Sequence, residues 1–253
     1  MTDLTHTVTL HTNERTDMTN ILVVLSGSDH WTLADGTKHP SGYWAEEFVV
    51  PHKTFREAGF DVTIATPGGV TPTVDKASLT PEMNGGDQGR AEELRDYIDS
   101  LRGELDSTMR LEDVNPGDFD GLFIPGGHGP MEDLAVSEAL GVLLVGMLDS
   151  GKVVSGVCHG PSGLFAAKRA DGSWAFAGYR LTGFTNVEED QVGFADKAQW
   201  LLETRLREEG AEFASGAPWA PYVVTDRNLV TGQNPASSEP IARQLVDMLS
   251  ASA

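Results

Sequence analysis

The sequence predicts an α/β domain whose mostly parallel sheet is covered by helices on both faces. Two observations carry this. Short, continuous apolar runs alternate along the chain with segments of helical spacing, and strands buried on both faces read as unbroken apolar runs. Several of these runs also stop at Gly- or Ser-containing turns, where open α/β sheets place their ligand sites.

The elements follow in order. Asn20-Ile21-Leu22-Val23-Val24-Leu25-Ser26 reads as a buried strand ending at Gly27 and Ser28. Gly42 to Gly59 reads as a helix with Phe48, Val49 and Phe55 as apolar positions and Gly59 as its stop; Pro51 should kink or divide it. Asp61–Thr66 is a second strand, closed by Pro67-Gly68-Gly69. From about 71 to 116 the chain is charged, with one helix-like segment around 90–102, and reads as an insertion or cap. Asp120–Ile124 is a strand running into Pro125-Gly126-Gly127-His128-Gly129-Pro130, followed by a helix over Met131–Ser150. The strand before Cys158 comes next, then a helix from His159 to about Arg169. An amphipathic helix is expected over 190–209, with Val192, Ala195, Ala198, Leu202 and Leu206 at helical spacing. Tyr222–Thr225 and Leu229–Thr231 flank a tight turn at Asp226-Arg227-Asn228, and a last helix spans about Ser237 to Leu249. There is no internal repeat.

Composition narrows the function. With 38 acidic against 18 basic residues the net charge is −20, which repels phosphate backbones and anionic lipid, so neither nucleic acid nor a membrane surface is expected as partner. No apolar segment approaches membrane-spanning length. Residues 1–18 are polar, lack a signal-like core and read as a loose extension of a domain over 19–253. The single cysteine excludes an internal disulfide and a Cys-based zinc site. A reactive thiol suits the reduced cytoplasm best.

That cysteine lies in Val153-Val154-Ser155-Gly156-Val157-Cys158-His159-Gly160-Pro161. An apolar run, a Gly-x-Cys-x-Gly turn and a helix-compatible segment describe a nucleophile elbow with sulfur in place of serine oxygen. Small flanking residues let the turn close, and a helix start favours the thiolate. The bland alternative is a small buried hydrophobe. Gly126 and Gly127, at a neighbouring strand end, could offer amides to an oxyanion together with the amide of His159; a plain turn would use the same glycines. Neither a Walker pattern nor Gly-x-Gly-x-x-Gly is present, so a phosphate cradle is set aside.

Several segments together carry a family resemblance: Gly42-Tyr43-Trp44-Ala45-Glu46-Glu47-Phe48-Val49-Val50-Pro51, Ile124–Pro130, Gly156–Pro161, Leu181–Glu189 and Leu229–Ser238. They resemble the ThiJ/PfpI superfamily of the class I glutamine amidotransferase-like fold, in the branch that includes glutathione-independent glyoxalase III and proteins described as deglycases and chaperones. The resemblance implies a flavodoxin-like three-layer sandwich, a homodimer and no cofactor. Cys158 is then the nucleophile and His159 its partner. Glu47, four residues before the helix proline, is the buried acid, with Glu46 the adjacent alternative about 100° away on the helix. Glu188 or Glu189 completes the set, and a count from Phe184 favours Glu189. His128, Tyr43 and Trp44 are expected to bind substrate, and no metal is assigned. No histidine follows His159, which excludes glutaminase chemistry of the amidotransferase type. The implied reaction converts a small 2-oxoaldehyde such as methylglyoxal to a 2-hydroxy acid through a Cys158 hemithioacetal. A Cys-dependent hydrolase or hydratase, a stress holdase and a thiol redox sensor are the rival readings.

Overall fold

The computed structural model describes residues 18–251, so the extension expected over 1–18 lies outside them except for Met18. Strands β1 (Asn20–Val24), β4 (Asp61–Thr66), β5 (Met109–Arg110), β6 (Gly121–Ile124), β7 (Val153–Val157), β10 (Val223–Asp226) and β11 (Leu229–Gly232) form one sheet in the order β10-β11-β7-β6-β1-β4-β5. All neighbours pair in parallel except the β10–β11 hairpin. Two small ribbons lie outside it, β2 (His30–Thr32) with β3 (Lys38–Pro40) and β8 (Arg180–Leu181) with β9 (Glu212–Phe213).

Side chains alternate across a strand, and β6 shows how both faces are covered. On one face, a Cβ at Gly121 would touch Leu249 of helix α8 (Ser238–Ser250), and Phe123 meets Phe55 of α1 (Ala45–Glu57) edge to face. On the other, Ile124 points toward Gly163 and the Leu140 end of α5 (Glu138–Asp149). The fold is therefore the three-layer α/β sandwich read from the apolar runs. Segment 71–116 supplies α2 (Gln88–Ser100), the short α3 (Arg102–Leu105) and edge strand β5, and it buries Leu94, Leu105 and Leu111 in the main core.

Four elements differ from expectation. Helix α1 runs through Pro51 undivided, because burial of Phe48, Val49, Pro51 and Phe55 holds the turn whose backbone bond proline forfeits. The helix expected over 131–150 is broken into α4 (Gly129–Glu132), a 3₁₀ turn and α5. Asp133 turns inward to accept from Ser26 Oγ at 2.8 Å and Gly27 N–H at 2.7 Å, and Ser137 recaps the chain by accepting from Leu140 N–H. Gly160–Ala166 winds as 3₁₀ rather than α, with Gly160 and Gly163 pressed against Ile124 and Leu140.

The amphipathic helix over 190–209 does not form. A capping box between Thr185 and Glu188 starts α6 early (Asn186–Gln191), and Gly193 at φ 80° stops it. Phe194 and Ala198 then pack against the satellite cluster of Trp31, Leu33 and Met131, and helical structure resumes only in α7 (Leu202–Glu208). Among the described residues no helix is long and apolar enough to cross a membrane.

Candidate active site

Strands β6, β7 and β11 end side by side, and their carboxyl ends form the site. Cys158 follows β7 with φ 58°, a left-handed conformation that costs a non-glycine residue roughly 1–2 kcal/mol. Two backbone bonds hold it there. Its N–H donates to Gly232 O of β11 at 2.9 Å, and Phe184 N–H donates to its carbonyl at 2.9 Å. The flanking glycines are required by space, since a Cβ at Gly160 would sit 2.1 Å from Ile124 O.

The buried His159 ring places Nδ1 3.4 Å from Cys158 Sγ and Nε2 2.6 Å from Glu189 Oε2. The second oxygen of Glu189 lies 2.9 Å from His128 Nε2. Burial opposes ionisation of Glu189, but the two imidazoles outweigh it and hold its carboxyl well below the usual range. A carboxylate only accepts, so both histidines donate Nε2–H to it. His159 Nδ1 therefore presents a lone pair to the thiol. Burial and His128 together keep His159 neutral, pushing its pKa below the ordinary value.

The buried carboxyl of Glu47 approaches Cys158 from α1. Its Oε2 accepts Gly126 N–H at 2.7 Å, while Oε1 has no nitrogen or oxygen partner and the thiol is the group beside it. Burial drives the Glu47 pKa up despite the hydrogen bonds from Cys158 and Gly126. Burial likewise raises the thiol, and the negative charge of Glu47 raises it further. Burial therefore disfavours a charge on either group and holds each toward its protonated form. The helix is brought this close by glycine: a Cβ at Gly126 would fall 2.6 Å from Glu47 Oε2, and one at Gly127 would fall 2.3 Å from Gly42 O.

The raised Glu47 pKa makes a stability prediction. The folded chain keeps a proton that the unfolded chain releases above about 4.5. The associated stability is thus fully present below that pH and is lost as pH rises toward and through the folded value. Glu47→Gln keeps an acceptor for Gly126 N–H and removes the titration. Urea unfolding should therefore show a smaller loss of stability between pH 5 and 7 in the variant than in the parent. Equal losses would mean that Glu47 is ionised in the folded protein.

The geometry separates the carboxylates that the sequence left paired. Glu188 is buried with both oxygens engaged by other groups, taking Trp219 N–H, Gln233 Nε2 and Asn234 Nδ2 on Oε1, and Thr185 N–H and Oγ on Oε2. Glu189 is the one that reaches His159. On α1, Glu46 stays at the rim, 3.3 Å from Arg90. Tyr43, expected to bind substrate, does not line the cavity. It is buried against Phe48, ring edge to face, because the strand-like bridge to Val74 turns it into the core. Trp44 and His128 do line the cavity, as does Trp219.

Of the amides considered for an oxyanion, Gly126 N–H is taken by Glu47, whereas those of Gly127 and His159 donate to no acceptor among the described residues. The sequence reading missed the second histidine on Glu189 and the anchoring of Glu188 by Gln233 and Asn234. The Thr185-x-x-Glu188 capping pattern was the available signal for the latter. Donor atoms of His128, His159 and Glu189 lie within 4.8 Å of one another, a spacing a cation can use. A metal there would have to replace both Nε2–H···O bonds, so it competes with the arrangement that orients His159.

Fold and site together define a class of α/β proteins in which a thiol sits on a strained strand-end elbow beside a buried carboxylic acid. A family model described as the DJ-1/PfpI family matches residues 40–248, and the chain belongs to that family. It is 30% identical to Glyoxalase 3 of Candida albicans, with 90% of this chain and 98% of that one covered. The glutathione-independent glyoxalase HSP31 of Saccharomyces cerevisiae is also 30% identical, with 90% and 97% covered. The solved structure of glyoxalase III from Candida albicans matches with a TM-score of 0.78 at 27% identity, over 91% of this chain and 97% of that one.

Proposed function

We propose that the protein is a glutathione-independent glyoxalase, a cofactor-independent enzyme that converts methylglyoxal or a related 2-oxoaldehyde to the 2-hydroxy acid. The observation that carries this is a neutral His159 whose Nδ1 lone pair and a protonated Glu47 flank one thiol. The likeness to glyoxalases over nine-tenths of the chain supports it.

As Cys158 Sγ attacks the aldehyde carbon, its proton passes to Glu47 while Glu47 gives its own to the carbonyl oxygen, whose developing charge lies against the Gly127 and His159 amides. This exchange gives the neutral hemithioacetal. His159 Nδ1 takes the proton from C1, and the electron pair moves into an enediolate. Returning the proton to C2, with Glu47 passing the C1 hydroxyl proton to the C2 oxygen, leaves a thioester, which water cleaves to the 2-hydroxy acid and the free thiol. The same steps on aldehyde released from glycated amines would register as deglycase activity. A free thiol fits the reducing cytoplasm, and a homodimer is the assembly the family resemblance implies.

The test is D-lactate formation from methylglyoxal without glutathione, parent against Cys158→Ser. Product should fall by about a thousandfold or more in the variant. Product that is independent of Cys158, or no product from fully reduced parent, would sink the reading and turn attention to amide and isonitrile substrates.

A further inference from the structure

The cavity over Cys158 is much larger than methylglyoxal needs. It measures about 830 Å³, a volume suited to a ligand of drug-like size, whereas methylglyoxal has a handful of heavy atoms. Its walls above the thiol are aromatic: Trp44, Phe184, Phe194 and Trp219. Phe184 bridges the wall to the chemistry, with its ring centroid 4.6 Å from that of His159 and 5.6 Å from that of Trp219.

Trp219 is held in place at a cost. Its φ of 62° is left-handed, a conformation rare for a bulky residue. Glu188 Oε1 accepts its N–H at 2.8 Å, and Gln191 Oε1 accepts its indole N–H at 2.5 Å. With both polar groups satisfied and the residue still 44% exposed, the indole is pinned at the mouth as an apolar surface.

Charge at the same mouth gives a second criterion. Among the described residues the one arginine lining it, Arg90, is paired with Glu46 at 3.3 Å and faces Glu93 at 3.9 Å. Asp75 also lines the cavity. Among the described residues a substrate carrying a carboxylate or phosphate would find no unpaired lysine or arginine there, and it would meet a protein of net charge −20.

We propose that this site is built for neutral 2-oxoaldehydes bearing an aromatic group, with Trp219 as the residue that selects them. The inference rests on the glyoxalase reading. The reacting carbonyl pair would sit at Cys158 and the aryl ring against Phe184 and Trp219, where one aromatic contact is worth up to about tenfold in affinity.

The experiment compares kcat and KM for phenylglyoxal, 4-carboxyphenylglyoxal and methylglyoxal in the parent, Trp219→Phe, Trp219→Ala and Trp219→Gly, with Cys158→Ser as the blank. Glycine accepts positive φ without strain, so Trp219→Gly removes the ring without a backbone penalty. The parent should favour phenylglyoxal over both others. The ratio of its kcat/KM to that of methylglyoxal should fall about tenfold in Trp219→Ala and Trp219→Gly, through KM, and recover in Trp219→Phe. An unchanged ratio, or equal use of the carboxylated aldehyde, overturns the inference while Cys158-dependent product leaves the glyoxalase reading standing. Product from none of the aldehydes ends both.

Discussion

Glu189→Gln should lower kcat/KM by about a thousandfold to ten-thousandfold while leaving the fold intact. Glu189 accepts Nε2–H from His159 at 2.6 Å and from His128 at 2.9 Å, one on each oxygen. Glutamine has a single acceptor oxygen and an NH₂ group that needs an acceptor itself. One histidine must then give up its Nε2–H, and a neutral ring that does so carries the proton on Nδ1. If that ring is His159, the lone pair facing Cys158 is lost. The loss should appear in kcat, with KM changed far less, because orientation of the base matters after substrate has bound. The variant should also be less sensitive to acid. A carboxylate held below its unfolded value of about 4.5 contributes stability above that pH and loses it as pH falls through the folded value. Activity within tenfold of the parent would remove Glu189 from the proposed machinery.

Glu188→Ala should be the more damaging change to the fold. Its two oxygens gather Thr185, Trp219, Gln233 and Asn234, joining α6 to the loop before β10 and the turn after β11. Removal strands those buried donors and the capping box at the start of α6. Leaving a buried donor unpaired costs about 1–3 kcal/mol, and losing the acceptor of several at once lowers the melting midpoint of a domain of this size by roughly 10 °C. Thermal unfolding followed by circular dichroism reads it, and a midpoint within 2 °C of the parent would show that the network is dispensable. Neighbouring residues of like charge thus divide the work, one holding the loops and one the imidazoles.

The sheet was legible because its strands are buried on both faces. Ile21–Val24 and Val153–Val157 are apolar without interruption, and no surface requirement blurs them. The elbow was legible because a thiol at positive φ needs small neighbours on both sides, and Gly156 and Gly160 write that need into the chain. The helix expected over 190–209 misled because Val192, Ala195 and Ala198 do repeat at helical spacing, although Phe194 and Ala198 serve a cluster around Trp31 instead. Periodicity reports that residues are buried, and only the partner surface says in which conformation. Tyr43 misled for a related reason: the motif places it beside Trp44 in sequence, and the bridge to Val74 sends it into the core.

The sequence by itself determined the layer architecture, the elbow and the set of acidic residues from which the site is drawn, since each follows from local pattern and spacing. Tertiary structure alone decided which acid does what. Glu188 and Glu189 are chemically identical neighbours, and a helix turns successive side chains about 100° apart. One therefore met donors from Trp219, Gln233 and Asn234, and the other met His159 and His128. The same holds for Glu47, whose proton is kept by burial against Cys158 and Gly126, partners that lie far from it along the chain.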